Sequence, residues 1–385
     1  MPTYRVSALG PASQSLEVLA ALAGLDAPDV VARDLSQVTL ADAVVAVVEV
    51  TGAPPSPEAL RAQLREALGP AVSVLVHEVP LRAARTERYR VAVVAPELAP
   101  ALVTEVARAV VGAGARLERV APVAHRPVAG YEIVASTRDA GALARAVGAL
   151  AAAEGLDVAL QREAADRWST RLVVMDADST LLADEVIDRL AEICGRADEV
   201  HAITAAAMAG HLDFAESLRR RVATLAGAPA SVLDEVRAAV SLTPGAATLV
   251  RTLQRLGHVP AVVSGGFVEV LGPLLADLGI AHYAANHLEV VDGRLSGRVV
   301  GDILDRAGKA AALRRFADEL GIPLERTVAI GDGANDIDMI VAAGLGVAFN
   351  AKAVVREHAD ATISVPYLDA VLVFLGLPTD EALGA

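Results

Sequence analysis

Residues 172–182, Leu-Val-Val-Met-Asp-Ala-Asp-Ser-Thr-Leu-Leu, constrain the fold more than any other stretch of the chain. Leu172 to Met175 form a short apolar run of the kind buried on both faces in a parallel sheet. Asp176 and Asp178 follow where that strand would end, and in open α/β sheets this edge is where ligands bind. An Asp/Ser turn after a strand would use the same residues, so the other strand ends must decide between a turn and a site.

From Arg171 onward, short apolar runs alternate with helical stretches. Buried strands are expected at 259–264, 327–331, 346–349 and 362–365, which predicts α/β architecture with a doubly wound parallel sheet. Residues from about 182 to 240 hold no strand-like run and are expected to form a helical cap above the strand ends. Two of the later strands also end in polar groups. Val-Val-Ser-Gly-Gly at 262–266 places the Ser264 hydroxyl and the Gly265 amide at the sheet edge, a grouping suited to phosphate. Val-Ala-Ile-Gly-Asp-Gly-Ala-Asn-Asp at 328–336 places Asp332, Asn335 and Asp336 there. Lys309 stands at the start of a helix, where a cation opposes the dipole and an anion nearby would explain it. Taken singly, a Gly-rich turn and a solvated lysine are the commoner explanations of 262–266 and Lys309, while Asp-Gly turn chemistry and Asn/Asp capping account for only part of 328–336.

Ahead of this region the pattern is different. Strands near 4–8, 30–38, 43–50 and 72–79 with helices at 13–23 and 57–68 give the order βαββαβ, a ferredoxin-like unit. Ser56 followed by Pro57 is a helix start, with Ser56 as N-cap and proline at the first helical position. Tyr89-Arg-Val then repeats Tyr4-Arg-Val 85 positions later, and helix 99–112, strands 116–123 and 131–137, helix 141–154 and strand 158–162 follow in the same order. The expected domains are 1–83, 84–164 and 165–385, with a polar linker at 161–170 that carries the only tryptophan, Trp168.

Composition removes several function classes. A formal charge of −14 leaves no basic surplus to displace counterions from a nucleic-acid backbone. With Cys194 as the only cysteine, no intrachain disulfide forms, and a metal site would use oxygen or histidine ligands. No uncharged run reaches the roughly 18 residues of a membrane span, and the N-terminus lacks a secretory pattern. The expectation is a cytoplasmic protein acting on small polar substrates.

Together, the segments at 176–180, 262–266, 309 and 328–336 resemble, in order and topological place, the four motifs of the haloacid dehalogenase-like (HAD-like) superfamily. The resemblance implies Asp176 as the nucleophile that takes a phosphoryl group and Asp178 as the acid that protonates the leaving alkoxide and then activates water. A dehalogenase needs no such acid, so Asp178 points to phosphoryl transfer. By the same resemblance Ser264, Gly265 and Lys309 hold phosphoryl oxygens, Asp176, Asp332 and the Asp178 carbonyl ligate Mg²⁺, and Asn335 and Asp336 support the site.

Asp184-Glu185 and the run Met208 to Val222 further resemble the phosphoserine phosphatases. There a glutamate meets the substrate ammonium and an arginine its carboxylate, which map to Glu185 and Arg221, with Met208 and Phe214 as an apolar wall. Arginine can fork a carboxylate where lysine cannot. A first-turn acid and a solvated cationic face at 219–221 are the competing readings of these residues. The two N-terminal units resemble ACT domains, which implies L-serine as an effector or dimerisation alone; exposed sheet edges favour a homodimer in either case. The implied substrate is O-phosphoserine, with release of L-serine as the last step of its biosynthesis. Transfer to another alcohol such as homoserine would use the same residues, and a non-catalytic amino-acid sensor is the alternative from another class.

Overall fold

The computed structural model describes residues 3–25, 30–40, 42–52, 55–79, 87–124, 127–163, 169–208 and 211–377. It divides into two compact units, Met1–Arg85 and Thr86–Ala385.

In the first unit, strands β1 (Thr3–Pro11), β2 (Val30–Leu40), β3 (Ala43–Gly52) and β4 (Ser73–Val79) alternate with helices Ser15–Ala23 and Pro57–Leu68 in the order βαββαβ. The sheet runs β2-β3-β1-β4, antiparallel throughout. Alternate residues Val6 and Ala8 of β1 and Val44, Ala46, Val48 and Val50 of β3 face inward, as a period of two requires. They pack against Val18 and Leu22 of one helix and Leu60, Leu64 and Leu68 of the other. The second helix starts as expected, with Ser56 Oγ accepting from Ala59 N–H at 3.2 Å and Pro57 at the first position.

The second unit opens with the same motif in β5 (Glu87–Ala95), β6 (Arg116–Ala124), β7 (Ala129–Thr137) and β8 (Asp157–Arg162), with helices Pro100–Gly112 and Ala140–Glu154. It continues through β9 (Leu172–Met175), β10 (Val259–Phe267), β11 (His282–Val291), β12 (Arg294–Val300), β13 (Thr327–Gly331), β14 (Leu345–Phe349) and β15 (Ala361–Ile363). All eleven strands form one sheet in the order β12-β11-β10-β9-β13-β14-β15-β8-β5-β7-β6. The sheet therefore crosses the boundary expected near residue 164 without a break. Ala361 of β15 pairs with Ala159 of β8, and Ser364 donates through its N–H and hydroxyl to the Asp157 carboxylate at 2.7 and 2.6 Å. Arg90 and Gln161 also bond the carbonyls that end helix Val371–Leu375. The expected linker starts too early, because Gln161 and Arg162 belong to β8; Trp168 lies outside the described residues.

Strands β11, β10, β9, β13, β14 and β15 are parallel, while β12 and β8 are antiparallel additions at either side. Strand β9 is central and fully buried, and the chain winds outward from it first through β10 and later through β13. That reversal is the topological switch point of the sheet, where a crevice opens beyond the strand ends. Two strands, β11 and β12, were not expected. They form a hairpin whose turn residues Asp292 and Gly293 both have positive φ, +49° and +73°, as a two-residue turn of that hand needs.

The cap is helical, as expected. Helices Val186–Ile193, Ala197–Met208, Phe214–Ala223 and Val232–Ala239 sit between two chain crossings that pair at Leu182 and Leu242. Among the described residues no helix is long and apolar enough to cross a membrane.

Candidate active site

Met175 pairs with both Val262 of β10 and Ile330 of β13, so the three strands leave the sheet at one level. Asp176, Ser264 and Asp332 are thereby delivered to one crevice by register alone. Asp176 N–H donates to Ile330 carbonyl at 2.9 Å, which keeps the first residue past β9 tied to the sheet. Beyond it the chain reverses in a wide turn, with Leu182 N–H reaching back to Ala177 carbonyl at 2.8 Å and Ser179 at φ +56°. A non-glycine residue in that region costs on the order of 1–3 kcal/mol and persists where its surroundings enforce it. Here Ser179 Oγ donates to Glu185 Oε1 at 3.2 Å.

Asp176 is 3% exposed and Lys309 is fully buried, with 2.7 Å between Lys309 Nζ and Asp176 Oδ2. The same ammonium lies 2.7 Å from Asp336 Oδ1, whose other oxygen accepts from Gly333 N–H at 3.0 Å. Lys309 thus bridges two carboxylates, and the anion expected beside it is present. Its helix, Arg306–Leu320, is capped by Asp305, which accepts from Gly308 N–H at 2.8 Å. Burial alone would lower the Lys309 pKa, but the two carboxylates outweigh it and hold the ammonium above its ordinary value. Gly331 has no room for a side chain: a Cβ there would stand 2.4 Å from Asp336 Cγ.

The remaining carboxylates are short of positive charge. Burial, reinforced by Asp336 and only partly relieved by Lys309, raises Asp176 well above the usual carboxylate range. Burial and Glu185 push Asp178 to about 7, and burial, Asp336 and Glu185 push Asp332 to about 6. Carboxylate oxygens of Asp176, Asp332 and Asp336 come within 4.8 Å of one another, a group able to hold a metal ion. An all-oxygen donor set with an excess of buried negative charge fits a hard divalent cation. Asp336 enters this group although the sequence reading gave it a supporting role, but its oxygens already serve Lys309 and Gly333. Asp178 does not enter through its carboxylate, which accepts from Val186 N–H at 2.9 Å and so caps the first cap helix.

Ser264 is fully buried, and its Oγ accepts from Gly266 N–H at 2.8 Å, which leaves the hydroxyl proton to be donated elsewhere. A Cβ on Gly266 would meet Asp178 Oδ2 at 3.2 Å, and one on Gly265 would meet the Phe214 ring at 3.2 Å. The cap therefore touches the core at Gly265 through Phe214, the first residue of a helix capped by Asp213.

Of the three consecutive arginines, Arg219 and Arg220 are exposed and Arg220 pairs with Glu216 along the helix. Arg221 turns inward on the face that buries Ser217, Leu218 and Val222, and its Nε is buried with no hydrogen-bond partner. Burial lowers its pKa, opposed by Glu185, Asp188 and Asp178. The solvated-face reading thus describes Arg219 and Arg220 but not Arg221. Glu185 is exposed beside it at the start of the first cap helix. Asn335 is half-buried, with its Oδ1 against Gly333, where a Cβ would come within 2.2 Å. Met208 ends its helix, and its side chain lies outside the described residues.

Two further buried groups join the site. Thr180 is fully buried with Oγ1 3.4 Å from Asp332 Oδ1, and Asn286 of β11 is 2% exposed and donates to Gly265 carbonyl at 2.8 Å. Thr180 closes the segment 176–180 that carries Asp176 and Asp178, whereas Asn286, in a segment with no motif, was not expected.

Residues 173–340 match the family model of haloacid dehalogenase-like hydrolases. A phosphoserine phosphatase of Streptomyces coelicolor is 54% identical over 280 residues, 73% of this chain and 68% of the relative. One of Mycobacterium tuberculosis is 52% identical over 278 residues, 72% of this chain and 68% of the relative. A solved structure described as a substrate-bound phosphoserine phosphatase complex superposes with a TM-score of 0.51 at 40% identity, over 54% of this chain and 98% of that one. The site geometry and these likenesses agree, and the chain belongs to the phosphoserine phosphatases of the haloacid dehalogenase-like hydrolase family.

Proposed function

We propose that the chain hydrolyses O-phospho-L-serine to L-serine and phosphate through an aspartyl phosphate on Asp176. The observation that carries the substrate is Arg221, a half-buried arginine whose Nε is buried and unpartnered in the electrostatic range of Asp178 and Glu185. A phosphate ester alone would not call for it; a substrate carboxylate would. Glu185 offers the complementary charge to an α-ammonium, and Phe214, set against Gly265, walls the carbon skeleton.

An Asp176 carboxylate oxygen attacks phosphorus as the bond to the serine oxygen breaks, and Asp178 gives that oxygen its proton. Asp178, now ionised, takes a proton from water as the water attacks the aspartyl phosphate, which frees phosphate and restores Asp176. Ser264, Gly265 and Lys309 hold the phosphoryl oxygens as charge shifts. Mg²⁺ is the proposed metal, held by Asp176, Asp332 and the Asp178 carbonyl with Asn335 and Asp336 in support, and it would offset the negative charge shared by nucleophile and substrate.

Phosphate release measured across phosphoserine, phosphothreonine and esters lacking the amino-acid head tests the substrate. Phosphoserine should lead by kcat/KM, and indifference to the head group would defeat the reading. Addition of homoserine, with product analysis for its phosphate ester, separates hydrolysis from transfer. A chain inert on every ester with Mg²⁺ would instead favour a non-catalytic sensor. The two βαββαβ units at 1–83 and 84–164 are proposed as ACT-type domains that respond to L-serine and form a homodimer in the cytoplasm. Serine titrated against the full chain, read by melting temperature and sedimentation, checks both points.

A further inference from the structure

Asn286 connects two halves of the phosphate site that no motif connects. It stands on β11, where the parallel register sets it opposite Phe267 of β10, and it is 2% exposed. Its Nδ2 donates to Gly265 carbonyl at 2.8 Å, and its Oδ1 accepts from Leu304 N–H at 2.8 Å. The first bond fixes the peptide between Gly265 and Gly266. The N–H of that same peptide donates to Ser264 Oγ at 2.8 Å, so the plane Asn286 holds also sets where the serine hydroxyl can aim its proton. The second bond reaches the residue before Asp305, the N-cap of the helix carrying Lys309.

We propose that Asn286 is a positioning residue for catalysis: one buried amide sets the Gly265–Gly266 peptide against the start of the Lys309 helix and so fixes the spacing of the phosphoryl-binding serine and lysine. The inference rests on the phosphatase reading above. A purely packing role is disfavoured because an apolar side chain would fill the same space without the two bonds. A buried amide with donor and acceptor both engaged is costly to leave half-satisfied, and here both bonds end on the phosphate-holding segments.

Two near-isosteric variants of the full chain separate the arms. Asn286→Leu removes both bonds; Asn286→Asp keeps an acceptor for Leu304 N–H and loses the donor to Gly265 carbonyl. Misplacement of catalytic groups by about 1 Å can cost on the order of 10²-fold. Both variants should therefore lower kcat/KM by roughly ten- to a hundredfold, and to the same extent on phosphoserine and on p-nitrophenyl phosphate, because the cradle serves any phosphate ester. Inhibition by inorganic phosphate should weaken by about tenfold in parallel. KM and the phosphate inhibition constant do not depend on how much enzyme is folded, so a partly unfolded variant still reports. Lowered melting temperature with wild-type KM, kcat and phosphate inhibition would overturn the proposal, leaving Asn286 a packing residue. Calorimetric binding of inorganic phosphate keeps this result apart from the parent reading. If the wild-type chain turns over no ester, that reading falls, while tenfold weaker phosphate binding in the variants still supports the cradle and equal binding, or none to either, refutes it.

Discussion

Replacing Arg221 with alanine should move activity and stability in ways that a surface arginine or a structural arginine would not. Hydrogen bonds to charged groups are worth about 1.5–3 kcal/mol each, and a forked contact to a substrate carboxylate makes two that share one geometry. Taking about 3 kcal/mol for the pair, kcat/KM on phosphoserine should fall roughly 10²-fold. The loss should appear mainly in KM if the carboxylate is held equally in ground and transition states. On p-nitrophenyl phosphate, which has no carboxylate, the change should stay within about threefold. The free enzyme should hardly notice. The unpartnered Nε is a buried donor whose desolvation costs about 1–3 kcal/mol, and its removal offsets the lost packing of the aliphatic stem. At about 2–4 °C per kcal/mol, the melting temperature should remain within a few degrees of wild type. Steady-state kinetics on both esters beside a thermal melt is the assay. Equal losses on both substrates, or a fall in melting temperature above about 8 °C, would remove Arg221 from the carboxylate-binding role.

Other substitutions probe the remaining parts of the site. Asp178→Asn should lower turnover by roughly 10²- to 10⁴-fold, and wild-type rates would show that another group moves the proton. Because Asp178 acts in its protonated form and is pushed up to about 7, kcat/KM should decline as pH rises through that region, with the limb moving to lower pH as Mg²⁺ is raised; a pH-independent rate would contradict this. Lys309→Met leaves Asp176 and Asp336 buried without their cation and should cost about 3–5 kcal/mol, read in urea unfolding, with added Mg²⁺ recovering part of it. Gly331→Ala places a methyl group against Asp336 and should cost about 1–3 kcal/mol together with most of the activity; an unaltered enzyme would mean that Asp336 can yield.

The parts of the fold that rest on local pattern are readable from the chain. Strands β9, β13 and β14 are short, wholly buried runs, and the order of such runs suffices for a parallel sheet under a helical cap. Strand β11 is different: its exposed and buried positions mix, and His282, Asn286, His287 and Glu289 interrupt the apolar pattern. Its clearest signal was the Asp292-Gly293 turn, which becomes decisive only once both flanks are known to be strands. Union of the repeat with the catalytic sheet rests on pairs such as Ala159 with Ala361, Asp157 with Ser364 and Gln161 with Phe374, contacts about 200 positions apart that no window of sequence can contain.

The same distinction runs through the site. Asp176, Ser264 and Asp332 are legible because strand ends are where chemistry collects in such sheets, and Lys309 because a cation at a helix start is out of place. Arg221 can be separated from Arg219 and Arg220 by helical phase, three positions after buried Leu218 and one before buried Val222. Nothing local marks Asn286, whose importance comes from the register that sets it beside the phosphate loop. Asp336 shows the limit of motif reading: its place in the pattern was clear, but its bond to the buried lysine is a tertiary fact.

The central claim is covalent transfer of phosphate from phosphoserine to Asp176, and trapping that adduct tests it most directly. Enzyme turning over phosphoserine labelled at phosphorus is quenched in acid within the first turnover, reduced with borohydride and digested, and the modified peptide is sequenced by mass spectrometry. The account predicts hydroxylamine-labile label on protein and reduction confined to Asp176. Release of phosphate with no protein-bound label at any quench time, or label at another residue, would contradict it.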